Sequence, residues 1–101
     1  NDLINDPEMD TTALGIMLII LSNKSTWKIY PNEIAKRTGL SRATIDKYFR
    51  RFEKIGYMRT VKTSKGYKKG VETYRFAADF KLADWYFEDY ILPQLEKYIS
   101  E

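Results

Sequence analysis

Between Ser41 and Lys54 the chain sets Arg42, Lys47, Arg50, Arg51 and Lys54 among Ser41, Ala43 and Thr44, against two acids, Asp46 and Glu53. Such a set recognises rather than reacts. Guanidinium and ammonium groups donate to phosphate oxygens or to the O6 and N7 acceptors of guanine, and the methyls of Ala43 and Thr44 suit a thymine methyl. The sequence holds no His and no Cys, which removes the commonest general base, the thiolate nucleophile and the usual zinc ligands. A Tyr nucleophile beside Arg residues could in principle cleave a phosphodiester. Yet Glu88 and Asp89 are adjacent in sequence and point apart on a helix, so no acidic pair suits a metal. The expectation is a non-enzyme with no cofactor, no metal and no marked small-molecule effector site.

The charge is laid out in blocks. From Lys24 to Val71 there are 14 Lys or Arg against three acids, a net +11, while the first 23 residues carry −4 and residues 72–101 carry −4. The whole-chain +3 therefore hides a dipole whose positive part contains the donor-rich stretch. From Lys54 onward Arg59, Lys62, Lys65, Lys68 and Lys69 follow with no acid until Glu72. Self-repulsion on that scale is relieved by a phosphate backbone. An ordinary solvated face is the bland alternative.

The elements that must position these groups are readable from spacing. At 101 residues, 44% apolar and 15% aromatic, the chain has material for one small core. Residues 1–10 are acidic and lack periodicity, which predicts a flexible or loosely docked lead-in, with Asp10 or Thr11 as an N-cap. A first helix is predicted over residues 12–22, apolar almost all round, hence central or covered on two sides. Its run Ala13–Leu21 is half of what a bilayer span needs. The chain starts at Asn1 rather than Met, which leaves room for residues upstream. Trp27 and Ile29 flank Lys28 in a short extended piece.

Pro31 opens a second helix and Gly39 closes it. Ser41 caps a third, with Ile45, Tyr48, Phe49, Phe52 and Ile55 as its inward stripe and Gly56 as its stop. Residues 57–63 and 71–76 are rich in β-formers and are separated by Ser-Lys-Gly-Tyr-Lys-Lys-Gly, which predicts a hairpin with a basic tip. Residues 79–100 are helical in pattern, with Pro93 expected to kink or split the helix.

The run PNEIAKRTGLSRATIDKYFR, residues 31–50, resembles the helix-turn-helix family, with the small Ala35, the turn Gly39, and Ile34, Leu40, Ile45 and Tyr48 at the pinning positions. Thr38 stands just before the glycine, where an aliphatic residue is usual. Followed by Gly56-Tyr57 and a basic hairpin, the order over residues 12–76 is similar to winged helix-turn-helix proteins. Two groups are alike: small dimeric transcriptional regulators, and the winged domains of replication initiators and DnaD-like replisome organisers of phages, plasmids and other mobile elements. The second likeness rests on ALGIMLIILSNKSTWKIYPNEIAKRTG followed by FEKIGYMRT.

The resemblance implies a fold that is mainly α with a small β-hairpin, a winged helix-turn-helix over residues 11–78 with an additional C-terminal helical segment over 79–101. It implies sequence-specific binding of double-stranded DNA, most naturally by a transcriptional regulator. Arg42, Ala43, Thr44 and Lys47 would face base edges. Ser41, Arg50, Arg51 and Lys54 would meet phosphates. Arg59, Lys62, Lys65, Tyr67, Lys68 and Lys69 would form the wing, on the backbone or in the minor groove. Asp46 could accept from cytosine N4 or pair with Arg42, Lys47 or Arg50, and Tyr67 could stack on DNA or pack on the hairpin. A protein–protein module built on the same fold is the alternative.

The C-terminal segment carries more large apolar side chains than one helix face can bury. Leu82, Trp85, Tyr86, Tyr90, Leu95, Tyr98 and Ile99 are the expected homodimer interface; the alternative is that the segment folds back on the first helix and completes the monomer core. Two-fold symmetry would suit two DNA half-sites. The expected location is the cytoplasm of a bacterial or phage-infected cell, at the nucleoid.

Overall fold

The computed structural model describes residues 2–23, 27–64 and 70–100, and these are mainly helical with one two-stranded antiparallel hairpin. The order is α1 (Asp2–Asn5), α2 (Thr11–Leu21), α3 (Pro31–Thr38), α4 (Arg42–Ile55), β1 (Met58–Ser64), β2 (Val71–Ala77), α5 (Asp84–Tyr86), a π-helical turn (Phe87–Ile91) and α6 (Leu92–Ser100). No helix among the described residues is long and apolar enough to cross a membrane.

Local chemistry sets the boundaries. The Asp10 carboxylate accepts from the Ala13 N–H at 2.7 Å and so caps α2. Ser41 caps α4 by accepting from the Thr44 N–H at 3.2 Å. Gly39 (φ 75°) and Gly56 (φ 115°) end α3 and α4 in the left-handed region, where an L side chain would be strained. The three residues between α3 and α4 turn the chain sharply enough for Ile34 and Ile45 to meet in one core, both fully buried.

The acidic lead-in is not loose. Leu3 and Met9 enter the main core beside Ala13, Ile16, Met17 and Ile20 of α2, Ile29, Phe49 and Phe52, and Tyr57 and Met58. The hydroxyl of the buried Tyr57 donates to Asp6 at 2.7 Å, tying the lead-in to the residue just before β1.

The β1–β2 register pairs Met58 with Ala77, Thr60 with Arg75 and Lys62 with Thr73 on one face, and Arg59 with Phe76, Val61 with Tyr74 and Thr63 with Glu72 on the other. The first face turns to the main core and α4. The second packs against the C-terminal segment, where Trp27, Phe87, Ile91 and Leu95 form a separate cluster with Val61, Tyr74 and Phe76. The Trp27 piece runs beside β2, its carbonyl accepting from the Arg75 N–H at 3.1 Å.

The C-terminal segment therefore packs on the outer face of the hairpin rather than on α2. Helix α2 is central to the main core through Ala13, Ile16, Met17 and Ile20, the first of the two expected arrangements, and is not covered on its other side, where Leu18 stays 65% exposed. Pro93 does not split the segment, which is helical without a break from Asp84 to Ser100. The helix admits it after a widened π-helical turn, in which the Leu92 N–H reaches back to the Phe87 carbonyl.

Candidate nucleic-acid interface

On α4 the positions Ala43, Lys47, Arg50 and Lys54 are spaced i, i+4, i+7 and i+11, and all four are exposed. They form one row without an acid. The two acids of α4 lie off that row. Asp46 accepts from Arg42 Nε at 2.9 Å, which is the intrahelical pair rather than a free acceptor. Glu53 accepts from the Thr60 hydroxyl of β1. Both carboxylates act on Arg75 of β2, whose guanidinium donates to the Ile29 carbonyl at 3.0 Å and lies over the Phe49 ring. Burial lowers the Arg75 pKa, while Glu53 and Asp46 oppose that shift. The helix thus turns its negative charge toward the hairpin and leaves a basic row outward.

Beside that row a groove of about 620 Å³ separates α4 from the lead-in, lined by Lys47, Arg50, Arg51, Lys54 and Ile55 on one side and Pro7, Glu8 and Asp10 on the other. Arg51 is held across it by Asp10 at 3.2 Å and rests over the Tyr48 ring. Of the groups expected at phosphates, Arg50 and Lys54 are therefore in the open row, Arg51 is engaged, and Ser41 is occupied as the cap. Ser41 also shares a hydrogen bond with the Thr44 hydroxyl at 2.9 Å. Of the groups expected at bases, Ala43 and Lys47 are in the row and Thr44 is half-buried. Arg42 lies on the α3 flank, donating through Nη1 to Asn32 at 2.6 Å.

The hairpin holds a correction. Arg59, expected among the wing cations, is turned to the outer face by strand alternation. It donates to the Leu82 carbonyl at 2.8 Å, pairs with Asp84 at 2.5 Å and lies over the Phe87 ring. Its work is to hold the C-terminal segment. Lys62 is exposed on the face shared with Thr60 and Arg75. Lys65, Tyr67, Lys68 and Lys69 lie outside the described residues.

The expected dimer residues divide as well. Leu82 and Leu95 are buried within the chain itself, and Tyr98 packs edge-on against Tyr74. Trp85 and Tyr90 are 61% and 58% exposed, and Ile99 is exposed. Trp85, Tyr86 and Tyr90 contact one another in a ladder with ring centroids 5.4–6.2 Å apart. Sequence reasoning passed over Arg75 and Asn32. Alternation with Tyr74 and Phe76 would have turned Arg75 inward; nothing in the sequence marks Asn32. Among the described residues no three acids gather as a metal would require.

Two carboxylates carry an acid dependence. The Glu8 backbone N–H, then the Tyr57 hydroxyl and Lys81, hold the Asp6 carboxyl below the ordinary value of 3.8. The Ala13 N–H, then Arg51 and Tyr48, do the same for Asp10. A carboxyl depressed in the folded state stabilises above its unfolded pKa, and that stability is lost as pH falls through the folded value. Thermal melts should therefore be level near neutrality and fall below about pH 4. Asp10→Asn keeps a good helix cap but removes the charge, so its melting temperature should fall less steeply with acid. An acid slope identical to that of the parent would remove Asp10 from this account.

Comparison of the chain with family models, with curated proteins and with solved structures returned no match.

Proposed function

We propose that the chain binds double-stranded DNA as a winged helix-turn-helix, with α4 in the major groove and the hairpin as the wing, and that it acts as a transcriptional regulator without catalytic activity. The observation that carries this reading is the outward row Lys47, Arg50 and Lys54, from which both acids of α4 are turned away into contacts with Arg42 and Thr60. A merely solvated helix has no reason to segregate its charges this way, whereas a phosphate backbone does. Lys47, Arg50 and Lys54 meet phosphates; Arg42 and Ala43, nearer the helix start, face base edges. The protein works at the nucleoid, in the cytoplasm. Two copies pair through the exposed Trp85, Tyr90 and Ile99, a smaller interface than the whole C-terminal segment, because Leu82 and Leu95 serve the chain's own core.

Selection of bound sites from random duplex DNA, followed by anisotropy titrations across a salt series, tests this. The expected outcome is enrichment of two half-sites about one helical turn apart and a steep loss of affinity with salt. Affinity independent of salt would instead favour a protein–protein module on the same fold. Enriched sites repeated at a replication origin would move the role to replication initiation, as in replisome organisers.

A further inference from the structure

Arg42 is gripped at two points by two different helices. Its Nε donates to Asp46, one turn along α4, at 2.9 Å, and its Nη1 donates to Asn32 of α3 at 2.6 Å. A guanidinium only donates, so the Asn32 amide oxygen must face it. Five N–H groups less these two leave three with no partner among the described residues, while half of the Arg42 side chain remains open to solvent.

We infer that Asn32 is a positioning residue which, with Asp46, holds the Arg42 guanidinium in a fixed plane to read a guanine; this rests on the duplex-binding reading above. A lysine ammonium meets phosphate as a point charge and needs no fixed plane. A guanidinium can take either phosphate or guanine through two parallel bonds, and here the neighbouring Asp46 decides between them. A pair of parallel N–H bonds to guanine O6 and N7 does need a fixed plane, and a side chain already immobilised loses less rotamer freedom when it makes them. The Asp46 carboxylate beside Arg42 points the same way. It offsets the positive charge and repels a phosphate, yet leaves the donors free for the neutral acceptors of a base edge. The unpaired row Lys47, Arg50 and Lys54 has no such buttress, which separates the two kinds of contact on one helix. Asn32 is exposed in the first turn of α3, outside both apolar clusters, so replacing it does not disturb the core.

The test uses the duplex enriched from a random pool by the intact chain, with each guanine changed in turn to adenine. The intact chain should lose roughly 5- to 100-fold in affinity at one guanine, the range of a bidentate base contact. Arg42→Ala identifies that guanine by abolishing the penalty there. Asn32→Ala should abolish most of the same penalty while leaving the salt slope unchanged, and Asn32→Asp, which still offers an acceptor, should restore it. A penalty in Asn32→Ala equal to that of the intact chain overturns the positioning role. So does the lack of any guanine whose penalty depends on Arg42. Failure to enrich any duplex would count against DNA recognition itself and remove this inference with it.

Discussion

Replacing Lys47, Arg50 and Lys54 together by Ala is expected to weaken binding to every duplex by on the order of 10²-fold at 0.15 M salt. Each cation that neutralises a phosphate releases about 0.9 of a counterion, so three lost contacts should flatten the slope of log affinity against log salt by about 2.7. At 0.15 M each released ion is worth roughly fivefold, and three compound to the stated loss. All three side chains are exposed and none has an ion-pair partner among the described residues, so the variant should fold and melt as the parent does. Lys97→Ala on α6 is the matched control, because it removes a charge on the acidic C-terminal segment; it should change neither affinity nor slope. A triple variant with an undiminished salt slope would dissociate α4 from the DNA interface, whatever the fate of Arg42.

The row on α4 was legible because it depends on one helix only. Ser41 and Gly56 mark its two ends, and a period of 3.6 then dictates which side chains share a face. The turn glycine Gly39 and the cap at Asp10 were legible for the same reason, since each signal and its consequence lie within a few residues; Pro93 marked an irregularity that took the form of a widened turn rather than a split. Facts that depend on how distant segments meet were not legible. Arg59 looks like one more cation in a basic run, yet strand parity and the docking of the C-terminal segment give it to Asp84. The apolar circumference of α2 suggested a central place or cover on two sides; it is central, but Trp27 and the outer hairpin face offered the C-terminal segment a better surface, and Leu18 was left in the open. Asp6 likewise gave no hint that it would receive the hydroxyl of Tyr57, 51 residues away. Hydrophobic periodicity states how much surface must be buried, not against which partner.

The largest effect on stability is expected at Phe52. It is fully buried, lies between Tyr48 and Phe49 with ring centroids 6.2 and 6.5 Å away, and its carbonyl accepts from the N–H groups of both Gly56 and Tyr57 at 2.9 Å. The side chain thus fills the junction at which α4 turns into the hairpin. Phe52→Ala removes a ring from a site walled by three elements that cannot all collapse inward, which costs about 3–5 kcal/mol. A domain of this size holds roughly 5–15 kcal/mol in total, so the variant should approach or cross the threshold of folding. Its melting temperature should fall by more than about 12 °C, at 4–8 °C per kcal/mol. Leu18→Ala deletes a similar apolar side chain from the open face of α2 and should shift stability by no more than about 0.5 kcal/mol. Trp27→Ala empties the second cluster, and what it does decides whether the molecule has one cooperative unit or two. If both clusters melt together, Trp27→Ala lowers the same single transition that Phe52→Ala lowers. If they do not, near-ultraviolet dichroism of the C-terminal aromatics will be lost at a lower temperature than helix content, and the hairpin will be stable without its outer cover. Equal, small shifts for Phe52→Ala and Leu18→Ala would mean that the main core is not assembled around α4.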